Sequence, residues 1–356
     1  MVFGGPRHLA LAGAGARGVE WPVPFDIAPV LAARGRRAVV LASGDPFWHG
    51  AGSLLAARLA PGEWVGHPAP SCFQLAANRL GWRLEEAFCL GLHAAPFARL
   101  RPVLGRGVRV LATLRDGAAV PALAEWLAAN GHARAALTTL ERLGGPGERI
   151  RPGAPADVTA PVMAAIEGRA SGLSRASGLP DDLFAHDGQI TKRPVRALTL
   201  SALAPRPGER LWDLGAGSGS VSVEWCLAGG RAVAVERRAA RAASIRANAG
   251  AFGLAHRLAV VEGEIADALA GLPPPDAVFL GGGADAALIA TLWQGLPSGA
   301  RVVANAVTLE GEAMLAAAHA AHGGSLMRIE LAQAGRLGGF RDWQPSRPVV
   351  QWSAGR

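Results

Sequence analysis

The chain has 356 residues, half of them apolar, which is enough for two domains with separate cores. Its apolar runs are short and broken by Arg, Gly and Pro; none approaches the ~18 residues that span a bilayer, and no signal-peptide pattern opens the chain, so a cytoplasmic protein off the membrane is expected. Cys72, Cys89 and Cys226 have neither the number nor the spacing of a disulfide framework or zinc site. The formal charge of +8 comes from 35 Arg and one Lys among dispersed positions, which argues against nucleic-acid binding and fits a small polyanionic substrate.

In chain order, "RRAVVLASGDPFWHGAG" reads as strand, loop and helix start, and "GVRVLATL" (107 to 114) as a strand. "VMAAIEG" reads as the last strand of an N-terminal α/β half. The Gly/Ser/Pro-rich stretch that follows is a linker, with the boundary near 168 to 180, giving domains 1 to 169 and 176 to 356. The C-terminal half alternates helical stretches with strand candidates at 210 to 214, 231 to 236, 258 to 263, 276 to 282 and 301 to 307. Continuously apolar strands separated by helices predict a mostly parallel, doubly wound sheet. Candidates at 326 to 331 and 348 to 352, with no long helix between them, predict an antiparallel pair at one edge. His319 and His322 precede Gly323 and read as the last turn of a helix, so no metal is expected.

"RLWDLGAGSGS" (210 to 220) places Gly215, Gly217 and Gly219 between a strand and a helix, where backbone N–H groups face a ligand. The spacing is D-x-G-x-G-x-G, beginning at Asp213. A dinucleotide fingerprint would put its last glycine at Ser220, and the G-K-[ST] ending of a P-loop is lacking. The next strand ends in Glu236, a carboxylate suited to both hydroxyls of a ribose. A ribose-bearing ligand without a cradled phosphate fits best, and S-adenosylmethionine is the common one.

The pattern resembles the Rossmann-like class I methyltransferase fold. That resemblance implies cofactor contacts from Asp213, Gly215, Ala216, Gly217, Ser218, Gly219 and Glu236, with Gly263, Glu264 and Ile265 against the adenine and Gly281 at the fourth strand. "DAVFLGGGAD" lacks the Asn-Pro-Pro-aromatic ending of amino-directed nucleic-acid methyltransferases. Gly282 and Gly283, with Asn305, leave room for a flat, bulky substrate. The second motif, "SGDPFWHGAG" with Ser43, Gly44, Asp45, Pro46, Gly50 and Gly52, resembles the tetrapyrrole methylases of the class III fold. There, Pro46 would fix the turn and the glycines admit a ligand as a second cofactor or substrate site.

Two unlike methyltransferase halves joined by "GLPDDLFAHDGQITKRPVRALTLSAL" resemble the precorrin-6Y C(5,15)-methyltransferase (decarboxylating) family of cobalamin biosynthesis. The resemblance implies that the C-terminal half methylates carbon 15 of a precorrin macrocycle and decarboxylates its ring C acetate, while the N-terminal half methylates carbon 5. It also implies that Thr191 and Gln189 contact the cofactor. Asp187, His186 and Lys192, the single lysine, are then the catalytic candidates. Members begin with a strand and glycine turn about twenty-five residues before a GG-x-R-H-L segment, whereas this chain opens almost at "FGGPRHLAL". The N-terminal half is therefore expected to lack its first strand, and carbon 15 to be methylated better than carbon 5. Homo-oligomerisation is left open by the residues. So are an RNA- or protein-carboxyl-directed methyltransferase and a cofactor-binding protein without turnover.

Overall fold

The computed structural model describes residues 1–48 and 50–356. The chain divides into two units, Met1–Phe97 with Val103–Ser171, and Ala98–Pro102 with Gly172–Arg356.

The first unit opens on β1 (Val2–Gly4), three residues too short for the sequence pattern to single out, followed by α1 (Pro6–Leu11). β1 pairs in parallel with β2 (Gly18–Glu20) and β3 (Val39–Val40). Phe3 is fully buried there against Val30 of α2 (Ala28–Leu31) and Leu55 of α3 (Gly52–Ala56). A five-stranded sheet follows in the order β4 (Ala87–Gly91), β5 (Arg109–Leu114), β8 (Val162–Glu167), β6 (Ala136–Glu141), β7 (Arg149–Pro152), with only the β4–β5 pair parallel. Its core joins Leu111, Leu140 and Met163 to Phe73, Ala76 and Ala77 of α4 (Cys72–Leu80). That helix starts where its sequence says it should, because Ser71 and Gln74 form a reciprocal capping box and Gly81 ends it in the left-handed conformation. α5 (Ala119–Ala129) lies between β5 and β6 in the chain.

The second unit is the doubly wound domain. Its elements are α6 (Arg193–Leu203), β9 (Arg210–Leu214), α7 (Ser220–Leu227), β10 (Arg231–Glu236), α8 (Ala239–Ala251), β11 (Leu258–Glu262), α9 (Ile265–Leu269), β12 (Ala277–Leu280), α10 (Ala286–Gly295), β13 (Arg301–Ala306), α11 (Leu309–His322), β14 (Ser325–Ile329), β15 (Ala332–Leu337), β16 (Phe340–Pro345) and β17 (Val349–Gly355). The main sheet runs β11-β10-β9-β12-β13-β17-β14. Its first five strands are parallel, and β17 is antiparallel to both β13 and β14. Both faces are covered. Leu211, Ala234, Phe279 and Val303 pack toward Leu200, Val221, Trp225, Ile245 and Phe252 of the helical layer, while Leu214, Val278, Val302 and Trp352 pack toward Ile289 and Leu315. Each such buried large side chain contributes about 1.5 to 3 kcal/mol of transfer free energy.

Two expectations change. The fourth strand ends at Leu280, so Gly281 and Gly282 belong to the loop beyond it. The β15–β16 hairpin, turning at Gly338-Gly339, went unseen because its residues are mostly exposed and carry no apolar alternation. α11 ends at His322 with Gly323 as its cap, and the His322 ring stacks on Trp293 with centroids 4.2 Å apart. Among the described residues no helix is long and apolar enough to cross a membrane, and no group of three acidic, His or Cys side chains is placed to hold a metal ion.

Candidate active site

The carboxyl ends of β9, β10, β12 and β13 form the mouth of the parallel sheet, where ligands of such folds bind. All three glycines of the first turn have left-handed φ, at +72°, +58° and +69° for Gly215, Gly217 and Gly219. They differ in what surrounds them. A Cβ on Gly215 would lie 2.3 Å from the Gly282 carbonyl oxygen, and one on Gly219 would lie 2.7 Å from Ile245 Cγ2. At Gly217 the nearest atom is the Gln189 carbonyl oxygen at 3.7 Å. Two of the glycines are thus required by the fold, and Gly217 alone of the three would accept a Cβ without a clash.

Acidic groups hold the turn from behind. Glu236, at the end of β10, accepts the Gly217 N–H on Oε2 and the Arg238 N–H on Oε1, both at 2.9 Å. Asp213 accepts the Ser222 hydroxyl at 2.6 Å and its N–H at 3.2 Å on Oδ2, pinning the first turn of α7. Its Oδ1 and the Ser218 hydroxyl are buried without a hydrogen-bond partner. Burial pushes the Asp213 carboxyl up to about 6, opposed by the Ser222 hydrogen bonds and reinforced by the negative Glu236. Ala216 is half-buried beside the turn, its N–H donating to the Val235 carbonyl.

The segment 178 to 192 lies over this turn because of residues that the sequence pattern did not single out. Arg196, fully buried on α6, donates to Glu224 Oε1 at 2.6 Å, to Asp181 at 3.0 Å, to the Thr191 carbonyl at 2.5 Å and to the Leu179 carbonyl. Glu224 in turn accepts the N–H groups of Gly178 and Leu179. Asn248 on α8 grips Ala185 through both its N–H and carbonyl, and donates to the Ser218 carbonyl at 2.9 Å. The signal was present, since Arg196 and Thr199 interrupt the apolar face of α6, and Glu224 sits in an apolar run.

The catalytic candidates occupy the surface of this segment. Asp187 accepts the Gln189 N–H and an Arg241 guanidinium N–H at 2.8 Å, and that arginine holds its carboxyl below the usual range. His186 Nδ1 accepts the Gly188 N–H at 3.0 Å. Lys192 is the N-cap of α6, with an exposed side chain. Gln189 is exposed and Thr191 half-buried. Glu264, N-cap of α9, is exposed and lies 3.8 Å from Arg237, while Gly263 is open and Ile265 packs against the core. Gly281 is crowded by the Phe279 ring, whereas Gly282 and Gly283 have free space. Asn305, near the end of β13, is half-buried and bonded to Thr199 and Gln351.

In the first unit, Ser43 bonds to His8 Nε2 at 2.7 Å and accepts from Arg7, which ties the second motif to the "GGPRHL" segment. Asp45 caps its own turn by accepting the Phe47 N–H at 2.8 Å. From sequence, these glycines are expected to admit a ligand; in the structure their close neighbours are the chain's own backbone. A Cβ on Gly50 or Gly52 would meet the Pro46 carbonyl oxygen at 2.4 or 2.6 Å, and one on Gly44 would meet Ser71 Cα at 2.7 Å, so they close the turn on the chain's own backbone. His49 of this motif lies outside the described residues.

Comparison with known proteins assigns both units. Residues 182–356 match the family described as "Precorrin methyltransferase domain", and residues 26–159 match "Tetrapyrrole (Corrin/Porphyrin) Methylases". The precorrin-6Y C(5,15)-methyltransferase [decarboxylating] of Sinorhizobium sp is 49% identical over 99% of this chain and 89% of its own length. The chain belongs to the precorrin-6Y C(5,15)-methyltransferase (decarboxylating) family. A protein of the same name from Mycobacterium tuberculosis is 40% identical over 99% of this chain and 92% of its own. The crystal structure of the C-terminal domain of precorrin-6Y C5,15-methyltransferase from Rhodobacter capsulatus covers 52% of this chain and 100% of that chain, at 58% identity and a TM-score of 0.51. In this family member, then, a tetrapyrrole methylase domain precedes a class I methyltransferase domain.

Proposed function

We propose that this chain methylates a precorrin macrocycle at carbons 5 and 15 and removes the carboxyl group of its ring C acetate, with S-adenosylmethionine as methyl donor, in the cytoplasm. The observation that carries the reading is the full-length likeness to named members of the decarboxylating family, with both halves matched. We assign carbon 15 and the decarboxylation to the second unit and carbon 5 to the first.

The residues at the mouth fit the donor. Gly217 is the least crowded of the three glycines, which suits the close approach of a ligand to its backbone. Each Glu236 oxygen accepts a single N–H and keeps a lone pair for a ribose hydroxyl. The buried, unpartnered Asp213 Oδ1 and Ser218 Oγ mark the same turn as polar beyond its internal needs. Gly263 and Ile265 would flank the adenine, and Thr191 and Gln189 would close over the cofactor. When bound, S-adenosylmethionine supplies an electrophilic methyl group to an electron-rich macrocycle carbon. The chain aligns the two, and alignment supplies much of the acceleration. Asp187, ionised beside Arg241, anchors the segment and donates no proton. Lys192 and exposed arginines such as Arg193 and Arg238 pair with the macrocycle's carboxylates. Gly282 and Gly283 leave room for the ring itself.

The test is incubation with labelled S-adenosylmethionine and precorrin-6Y, or its reduced form, followed by mass spectrometric counting of methyl groups gained and carbon dioxide lost. Two methyl gains with one carbon dioxide loss are expected; no mass change with an active reduced substrate would refute the reading.

A further inference from the structure

The cluster of Thr199, Asn305 and Gln351 lies at the same mouth and has no part in the donor site. Asn305 Nδ2 donates to Thr199 Oγ1 at 2.9 Å. Gln351 Nε2 donates to Thr199 Oγ1 at 3.1 Å and to Asn305 Oδ1 at 2.9 Å. Thr199 and Gln351 are buried to 0% and 2% exposure, so both hydrogens of the Gln351 amide are committed inside the protein. Asn305 stands opposite Gln351 in the β13–β17 ladder, one residue before β13 ends. It is half-buried, and no other described residue takes its second N–H. Two exposed apolar side chains follow in the chain, Val307 at 52% in the loop and Leu309 at 80% at the start of α11. No charged group takes part in the cluster. The result is one neutral donor of fixed direction beside an apolar lip.

We propose that Asn305 contacts the acetate carboxylate that is lost, with Thr199 and Gln351 as positioning residues. The proposal rests on the macrocycle reading above. In the step concerned, the bond between the acetate methylene and its carboxylate breaks, and the electron pair passes into the conjugated macrocycle. Carbon dioxide leaves, and a solvent proton ends on the methylene carbon to give a methyl group. Negative charge therefore leaves the carboxylate as the transition state forms. A guanidinium there would stabilise the starting carboxylate more than the transition state and slow the step, whereas a single amide N–H orients it with little such penalty. The macrocycle's other carboxylates, which do not react, carry no such restriction and suit arginine.

The full chain is assayed with the reduced substrate and S-adenosylmethionine, counting by mass products that have gained the carbon 15 methyl with and without loss of carbon dioxide. Asn305→Ala is expected to lower the decarboxylated fraction about tenfold while methyl transfer falls less, so a methylated, still carboxylated product accumulates. Asn305→Asp keeps the acceptor for Gln351 and replaces the donor by a repelling carboxylate, and it is expected to shift the ratio at least as far. Gln351→Leu is expected to move the ratio the same way by a smaller factor, a readout that loss of stability alone would not change. An unchanged product ratio in both Asn305 variants, with wild type active, overturns this proposal alone. A wild type inactive on every tetrapyrrole overturns the macrocycle reading and this proposal with it.

Discussion

Arg196 Nε and Glu224 Oε1 lie 2.6 Å apart, with side chains exposed by 0% and 4%, and between them they bind the backbone of Gly178, Leu179 and Thr191. One buried ion pair therefore closes both ends of the segment that covers the glycine turn. Removing Arg196 leaves the buried Glu224 carboxylate without a cation, and removing Glu224 leaves Arg196 only the partly exposed Asp181. Arg196→Ala and Glu224→Ala are each expected to destabilise the second unit by about 3 to 5 kcal/mol. The double replacement Arg196→Met with Glu224→Leu should cost less than the sum. Denaturant titrations followed by tryptophan fluorescence measure both, and additive losses would show that the two residues act separately.

The glycine turn separates fold from ligand. Gly217→Ala brings its Cβ only to ordinary contact with the Gln189 carbonyl oxygen, 3.7 Å away, and should cost only the left-handed strain, about 1 to 2 kcal/mol, yet weaken S-adenosylmethionine binding. Gly215→Ala and Gly219→Ala collide with the Gly282 carbonyl and with Ile245, so they should lower the melting temperature more. Calorimetric titration beside thermal unfolding checks the contrast. Unaltered affinity in Gly217→Ala would place the donor elsewhere.

Asp213 sets a pH dependence. Its folded value of about 6 lies above its ordinary 3.8. Below about pH 4 both folded and unfolded chains are protonated there, between about 4 and 6 only the folded chain is, and above 6 the buried carboxylate is ionised at a cost. Stability is therefore lost as pH rises through that window. Asp213→Asn lacks this dependence. The difference between its denaturation midpoint and that of wild type should move in the variant's favour from about pH 4 to about pH 7. A constant difference would mean that Asp213 titrates normally.

Asp187 serves as an anchor. Because Arg241 depresses its pKa, the stability of their contact is present above the ordinary carboxylate range and is lost as pH falls through the lowered value. Asp187→Asn keeps the acceptor for the Gln189 N–H. It should weaken donor binding several-fold, as should Arg241→Gln, while the shape of the kcat–pH profile stays the same. Loss of one limb of that profile in Asp187→Asn would instead assign it a proton transfer.

Much of this protein is legible residue by residue. β9 and β10 coincide with their apolar runs, and the boundaries of α6 and α11 follow from Pro194 and Gly323. The left-handed turn of Gly215, Gly217 and Gly219 and the place of Glu236 at a strand end were legible in their spacing, because φ > 0 and a carboxylate at a strand end are local requirements. The β15–β16 hairpin stayed hidden, since exposed strands have no buried face to impose a period of two.

What only packing decided is the division of labour among residues of the same kind. Three glycines in one motif look equivalent in a string of letters, but Ile245 and Gly282, distant in sequence, make two of them structural and leave Gly217 uncrowded. Likewise Asp187, read as a catalytic candidate, is claimed by Arg241, and Asn305 receives its orientation from Thr199 and Gln351, 106 and 46 residues away. Backbone conformation and strand pattern are short-range properties written in neighbouring residues. Which side chain keeps a free hydrogen-bonding atom depends on partners that only the folded chain brings within 3 Å.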